Sequence, residues 1–157
     1  MTQQRAEQTI APVKKVVTVG QSVEDAFRIF TDQIESWWPL DSHSMGGENA
    51  VSCGMDGAVG GHVFEELADG TRLNWGEVLT WDPPNRLAFT WQLNRTPEEA
   101  QIIEVTFAAT ESGTRVELTH SGWERLGAQA AEVRAGYDSG WEFVFVERYG
   151  GRVTEEA

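Results

Sequence analysis

At 157 residues the chain is the size of one ordinary domain, and a single core is expected to bury about two thirds of the surface that the unfolded form exposes. Its 12 basic and 25 acidic residues leave a net charge of −13, so its field repels phosphate backbones and anionic headgroups, and nucleic acid is not expected as a partner. The longest apolar runs fall far short of the roughly 20 residues that cross a bilayer, and Met1 to Ala11 lacks the apolar core of a signal peptide; with the single cysteine Cys53, this leads us to expect a cytoplasmic protein with no membrane insertion.

Residues 1–12 are polar and without period, and are expected to form a loose tail before a single domain over residues 13–153, with a short tail at 154–157. Val13 to Gly20 carries the first strand signal, with Val13, Val17 and Val19 among β-branched neighbours. Ser22 then offers an N-cap, and Val23, Ala26, Phe27, Phe30 and Ile34 recur at helical spacing until Pro39 stops any continuation. Asp41 to Gly61 is rich in Gly, Ser and Asn, which predicts irregular backbone with a short strand near Ala50 to Met55. From there the pattern is an antiparallel meander: His62 to Leu67, Leu73 to Trp81, Arg86 to Leu93, Ile102 to Ala109 and Thr114 to His120, separated by turn compositions such as Asp69-Gly70 and Glu111-Ser112-Gly113. Tyr137, Trp141, Val144, Phe145 and Arg148 share a face over Tyr137 to Val153 and predict a long closing helix. The sum is an α+β architecture, a curved antiparallel sheet of about six or seven strands wrapped around the last helix, with two short helices after the first strand.

Seven tryptophans are many for a core of this size, because Trp is large and amphipathic; some are expected to line a pocket or an interface. Trp75, Trp91, Trp141 and Phe145 fall on inward faces, with Trp38 where the first helical segment ends. Each can be core filler, yet together they suit the wall of a cavity for a flat or aromatic molecule, with Tyr137 as a polar contact. His120 follows Val116 and Leu118 on the inward face of its strand; the plainer reading is a satisfied core histidine, the sharper one a ring that touches a ligand. Strict alternation through Leu73, Trp75, Glu77, Leu79 and Trp81 would bring Glu77 to the same interior, where a pair with His120 could do acid or base chemistry. A bulge at Gly76 would instead reverse the parity and send Glu77 to solvent. His43, His62 and Cys53 match no compact ligand spacing, so no metal is expected, and the absence of a phosphate loop, a dinucleotide fingerprint or a nucleophile elbow gives no cofactor to expect.

Four segments in order are similar to one family: Val23-Glu24-Asp25-Ala26-Phe27 with Trp37-Trp38-Pro39; Gly76-Glu77-Val78; Asp82 to Trp91; and Gly113 to Gly122. With the order of elements, they resemble the START-like (SRPBCC, helix-grip) superfamily, in the branch named after the activator of the 90-kDa heat-shock protein ATPase. The resemblance covers roughly Val13 to Val153. It implies a helix-grip fold with a deep cavity between sheet and C-terminal helix that in relatives holds apolar molecules, and it implies no single reaction. The leading expectation is therefore binding of a small apolar or aromatic molecule, with Trp38, Trp75, Glu77, Trp91, His120, Tyr137, Trp141 and Phe145 around it. Alternatives are a cyclase, isomerase or hydrolase using His120 and Glu77, and a module that stimulates a chaperone. The co-chaperone itself carries a further N-terminal domain and only about a dozen residues precede the first strand here, so a chaperone partner is the weakest of the three. A monomer and a homodimer are both compatible with the sequence.

Overall fold

The computed structural model describes residues 11–39, 47–91 and 99–156. The tail at 1–10, His43, Leu93 and most of the turn expected at Asn94 to Glu99 lie outside them. The first strand, β1 (Val13–Val19), ends at Gly20, and Ser22 caps the helix α1 (Val23–Thr31), its hydroxyl accepting from the Asp25 N–H at 3.1 Å as its position in the sequence suggests. Ala26, Phe27, Ile29 and Phe30 form the buried stripe of α1. The helix ends before Ile34: Gln33 leaves the helical region at φ −110°, ψ 27°, and one 3₁₀ turn over Ile34–Ser36 follows. That break turns Trp37 and Trp38 inward, where the Trp37 indole donates to the Ile29 carbonyl at 2.9 Å.

Six further strands follow: β2 (Ala50–Met55), β3 (His62–Leu67), β4 (Arg72–Asp82), β5 (Arg86–Trp91), β6 (Gln101–Ala109) and β7 (Thr114–Ser121). They form one curled, seven-stranded antiparallel sheet in the order β1-β7-β6-β5-β4-β3-β2, with Val13 opposite His120 and Ile103 opposite His120 on the other side. Strand bounds agree with the alternation in the sequence to within a residue or two. β4 bends twice. Its register against β3 slips beside Trp75, and its register against β5 slips beside Leu79. Each slip reverses the in-and-out parity, so Trp75 and Trp81 face the core while Glu77 and Leu79, between the two slips, face outward. Gly76 marks the first bend: a Cβ there would sit 1.7 Å from the Thr90 carbonyl oxygen, so only glycine permits the approach of the two strands.

The C-terminal helix α2 (Ala130–Glu156) comes after a 3₁₀ segment at Trp123–Gln129 that is broken at Gly127, which takes φ 63°. It begins seven residues before the expected start at Tyr137 and runs past Val153 into the stretch expected to be a tail. Its middle, Glu142–Tyr149, is π-helical between two α-helical ends. Trp141, Phe145, Tyr149 and Val153 are all buried at a spacing of four and form the inward row of α2. Lys15 on β1 ties α2 to the sheet through Asp138 at 2.7 Å and Glu142 at 3.2 Å. No helix among the described residues is long and apolar enough to cross a membrane.

Candidate functional site

Five consecutive strands place one inward side chain each at the same end of the sheet: Glu65 on β3, Trp75 on β4, Trp91 on β5, Gln101 on β6 and His120 on β7. Trp38, beyond the first helical segment, and Tyr137 and Trp141 from α2 close over them. Four indoles meet in the middle. Trp38 lies 4.9 Å from Trp75, 5.9 Å from Trp91 and 6.1 Å from Trp141 between ring centroids, while Trp91 lies 5.7 Å from Trp75 and 6.1 Å from Trp141. These are tilted and edge-on geometries, the arrangements that aromatic quadrupoles favour.

Three of these indoles point their N–H edges at polar groups around the cluster. Trp75 donates to the Glu65 carboxylate at 2.7 Å, Trp91 to the Tyr137 hydroxyl at 3.0 Å and Trp141 to His120 Nδ1 at 2.9 Å. An indole can only donate, so Nδ1 of His120 is the acceptor and the ring proton sits on Nε2, 3.1 Å from Gln101 Oε1. The Gln101 amide is fixed in turn, its Nε2 donating to the Glu99 carbonyl at 2.6 Å. Tyr137 and Trp123 rings pack on the imidazole at 5.0 and 4.2 Å, and the Trp123 indole donates to the His120 carbonyl. Burial then pushes the His120 pKa down to about 3, so the ring is neutral at neutral pH. His120 is thus a satisfied core histidine that also borders the indole cluster.

Of the residues expected at the site, Trp38, Trp75, Trp91, His120, Tyr137 and Trp141 come together. Glu77 does not. The double slip of β4 leaves it exposed, its backbone N–H bonded to Thr90 Oγ1, so the expected Glu77 and His120 pair does not exist in this structure. Phe145 is fully buried but packs on Phe30 and Tyr149 farther along α2, in the core against α1. Arg148 is exposed and donates to the Trp37 carbonyl. The buried polar residues that sequence reasoning missed are Gln101, the partner of His120, and Glu65. For Glu65, its parity with Val63 on β3 was the available signal.

Cys53, paired in register with Glu65, is buried, and burial together with the carboxylates of Glu35 and Glu65 pushes its thiol up to about 12. Such a thiol is not a nucleophile at neutral pH. Among the described residues no three His, Cys, Asp or Glu side chains are grouped as a metal site requires. Within the interior that the resemblance implied as a cavity, the indole rings of Trp38, Trp75, Trp91 and Trp141 lie in mutual contact. Two concavities are lined by described residues away from the cluster: one of about 250 Å³ beside Trp37 and Arg148, and an open groove of about 600 Å³ between β1 and the Gly150-Gly151 turn of α2.

The profile of the family described as "Activator of Hsp90 ATPase homolog 1-like protein" matches residues 21–145, from the cap of α1 through the middle of α2. The chain belongs to this AHSA1-like family. Among solved structures it is similar to an anthrahydroquino-γ-pyrone synthase, Txn09, at 35% identity over 92% of this chain and 97% of that one, with a TM-score of 0.60. It is also similar to CalC from Micromonospora echinospora, a self-sacrificing resistance protein, at 28% identity over 94% and 96% of the two chains and a TM-score of 0.66. Protein MLL2253 from Mesorhizobium loti shares the fold at 20% identity, covering 93% and 98%, with a TM-score of 0.68. No curated protein sequence matches the chain.

Proposed function

We propose that this AHSA1-like protein binds a flat aromatic molecule at the indole cluster between the sheet and α2. The observation that carries this reading is the convergence of Trp38, Trp75, Trp91 and Trp141 from four separate elements, three of them with N–H edges turned to Glu65, Tyr137 and His120. A core built only for stability gains most from residues without polar atoms, whereas indole faces and oriented polar edges suit a planar ligand. The likeness to a synthase whose name describes a fused aromatic product supports the same ligand class.

A planar ring seated between two indoles needs their planes about 7 Å apart, twice the carbon contact distance, while the centroids here lie 4.9 to 6.1 Å apart. Binding therefore parts the rings, and α2 turns π-helical just after Trp141, a local conformation frequent at functional sites. Titration of the protein with planar tricyclic aromatics, monitored by intrinsic tryptophan fluorescence, tests the reading. Saturable quenching with Kd below about 10 μM, a binding free energy near 7 kcal/mol, is the expected result. A flat response across neutral, phenolic and amine-bearing members of the set would refute it.

A second reading, turnover of the bound molecule, is favoured by the synthase likeness alone. With Glu77 on the outside, only a neutral His120 of the two acid and base candidates borders the cluster. It predicts product formation that disappears in His120→Gln while binding persists; product formed by that variant would remove His120 from the chemistry. Stimulation of a chaperone ATPase rests on the family's description and on the acidic charge, and absence of any effect at every protein concentration would remove it.

A further inference from the structure

Trp75, Trp91 and His120 stand on strands bonded to a neighbour on each side, so the walls that can part from them are the Trp38 segment and the first half of α2, Ala130–Trp141. That half brings Tyr137 and Trp141 to the cluster and is weakly anchored. Of its 12 residues only Ala130 and Trp141 are buried, whereas Val144, Phe145, Tyr149 and Val153 root the half that follows. It is bounded by the break at Gly127, with φ 63°, and by the π-helical turns from Glu142. Gly136 and Gly140 immediately precede Tyr137 and Trp141. A Cβ at either position would meet nothing within 4 Å, so packing does not ask for glycine there, and each disfavours the helical state about twofold to fivefold relative to alanine. The half is held from outside instead: Lys15 on β1 reaches the half-exposed carboxylates of Asp138 and Glu142, and Arg134 donates to the carbonyls of Ala11 and Pro12. Exposed ion pairs of this kind are weak and give way readily.

We infer that Ala130–Trp141 is a gate over the indole cluster, swinging on Gly127 and on the π-helical turns, loosened by Gly136 and Gly140 and latched to β1 through Lys15. The inference rests on the proposed indole site and adds the route by which a ligand reaches it. Opening lifts Tyr137 off the Trp91 N–H and the His120 ring, and draws Trp141 away from Trp38 and Trp91. The ring faces that a planar ligand needs are then uncovered. A helix that served packing alone would gain from alanine at both glycine positions.

Native-state hydrogen exchange of the full chain, followed by mass spectrometry, reads the opening without a ligand. Amides of residues 131–141 should exchange at least about a hundredfold faster than those of β6 and β7, through openings that low denaturant does not accelerate. The double variant Gly136→Ala, Gly140→Ala should slow that exchange about fivefold to thirtyfold and leave β6 and β7 unchanged, while Lys15→Met should speed it about twofold to fivefold. Stopped-flow quenching of tryptophan fluorescence by acridine, a planar tricycle, then reads the route. Association and release should both slow in the double-alanine variant by about the factor seen in exchange, with Kd within about twofold of the wild type, because both pass through the open state. Protection of residues 131–141 equal to that of β6 and β7, or unchanged acridine rates in the double variant, would overturn the gate and leave the indole site standing. Absence of quenching in the wild type would overturn the site and the gate with it.

Discussion

Replacing His120 by Gln converts a buried titrating ring into a neutral side chain that can still accept from the Trp141 indole and donate to Gln101 Oε1. The folded-state pKa of His120 lies near 3 because burial disfavours the imidazolium, against an ordinary value of 6.5 in the unfolded chain. The native ring therefore binds fewer protons than the unfolded one between these values. Its contribution is complete above pH 6.5 and is lost as pH falls towards 3, at about 1.4 kcal/mol per pH unit once below 6.5. Between pH 7 and pH 5 the loss comes to about 2 kcal/mol. Urea unfolding at pH 7, 6 and 5, monitored by tryptophan fluorescence, should show the wild type losing about 2 kcal/mol more than His120→Gln over that interval, because other groups titrate alike in both proteins. Parallel stability curves for the two proteins would mean that the imidazole is not buried neutral, and the hydrogen-bond chain Trp141 to His120 to Gln101 would be refuted with it.

Glu77→Gln should alter neither stability nor aromatic binding by more than about 0.5 kcal/mol, as expected for an exposed side chain between the two slips of β4; a large loss of binding in a titration would contradict its outward placement. Gly76→Ala should destabilise by more than about 2 kcal/mol in denaturant unfolding, since its Cβ would meet the Thr90 carbonyl at 1.7 Å, and a neutral result would contradict the close approach of β4 and β5. Cys53, with its thiol pushed up to about 12, should resist a disulfide reagent at pH 8 in the native protein and react promptly once unfolded; fast native reaction would contradict its burial.

The sheet was legible because alternation is a local signal: Val116, Leu118 and His120 point one way whatever the rest of the chain does, and the structure buries all three. Ser22 was legible for the same reason, since a cap acts within one turn. β4 was not, because its parity depends on two bulges set by pairing with neighbours on both sides, and only the glycine hinted at the first. The start of α2 was hidden in residues 130–136, where small and charged residues carry no apolar period and the stretch is helical through its continuity with the buried row that starts at Trp141. Glu65 had the right parity with Val63, yet a carboxylate in a strand is ordinarily assigned to solvent, and nothing in the sequence tells that Trp75 on the next strand will supply the N–H that holds it inside. Phe145 was placed on the correct face of α2 but in the wrong part of the core, because a shared face does not fix which neighbour it meets.

If the indoles of Trp38, Trp75, Trp91 and Trp141 form a site for a planar aromatic molecule, each ring should report its arrival. Indole N–H resonances of the ¹⁵N-labelled protein, recorded during titration with 2-naphthol, 1-naphthylmethylamine and a neutral planar tricycle, read each ring separately. The Trp75, Trp91 and Trp141 signals should shift together and saturate with at least one of these probes, while Trp81, packed on Phe27 away from the cluster, stays in place. Unmoved cluster signals at saturating concentrations of every probe would contradict the aromatic site and leave the indoles as core filling alone.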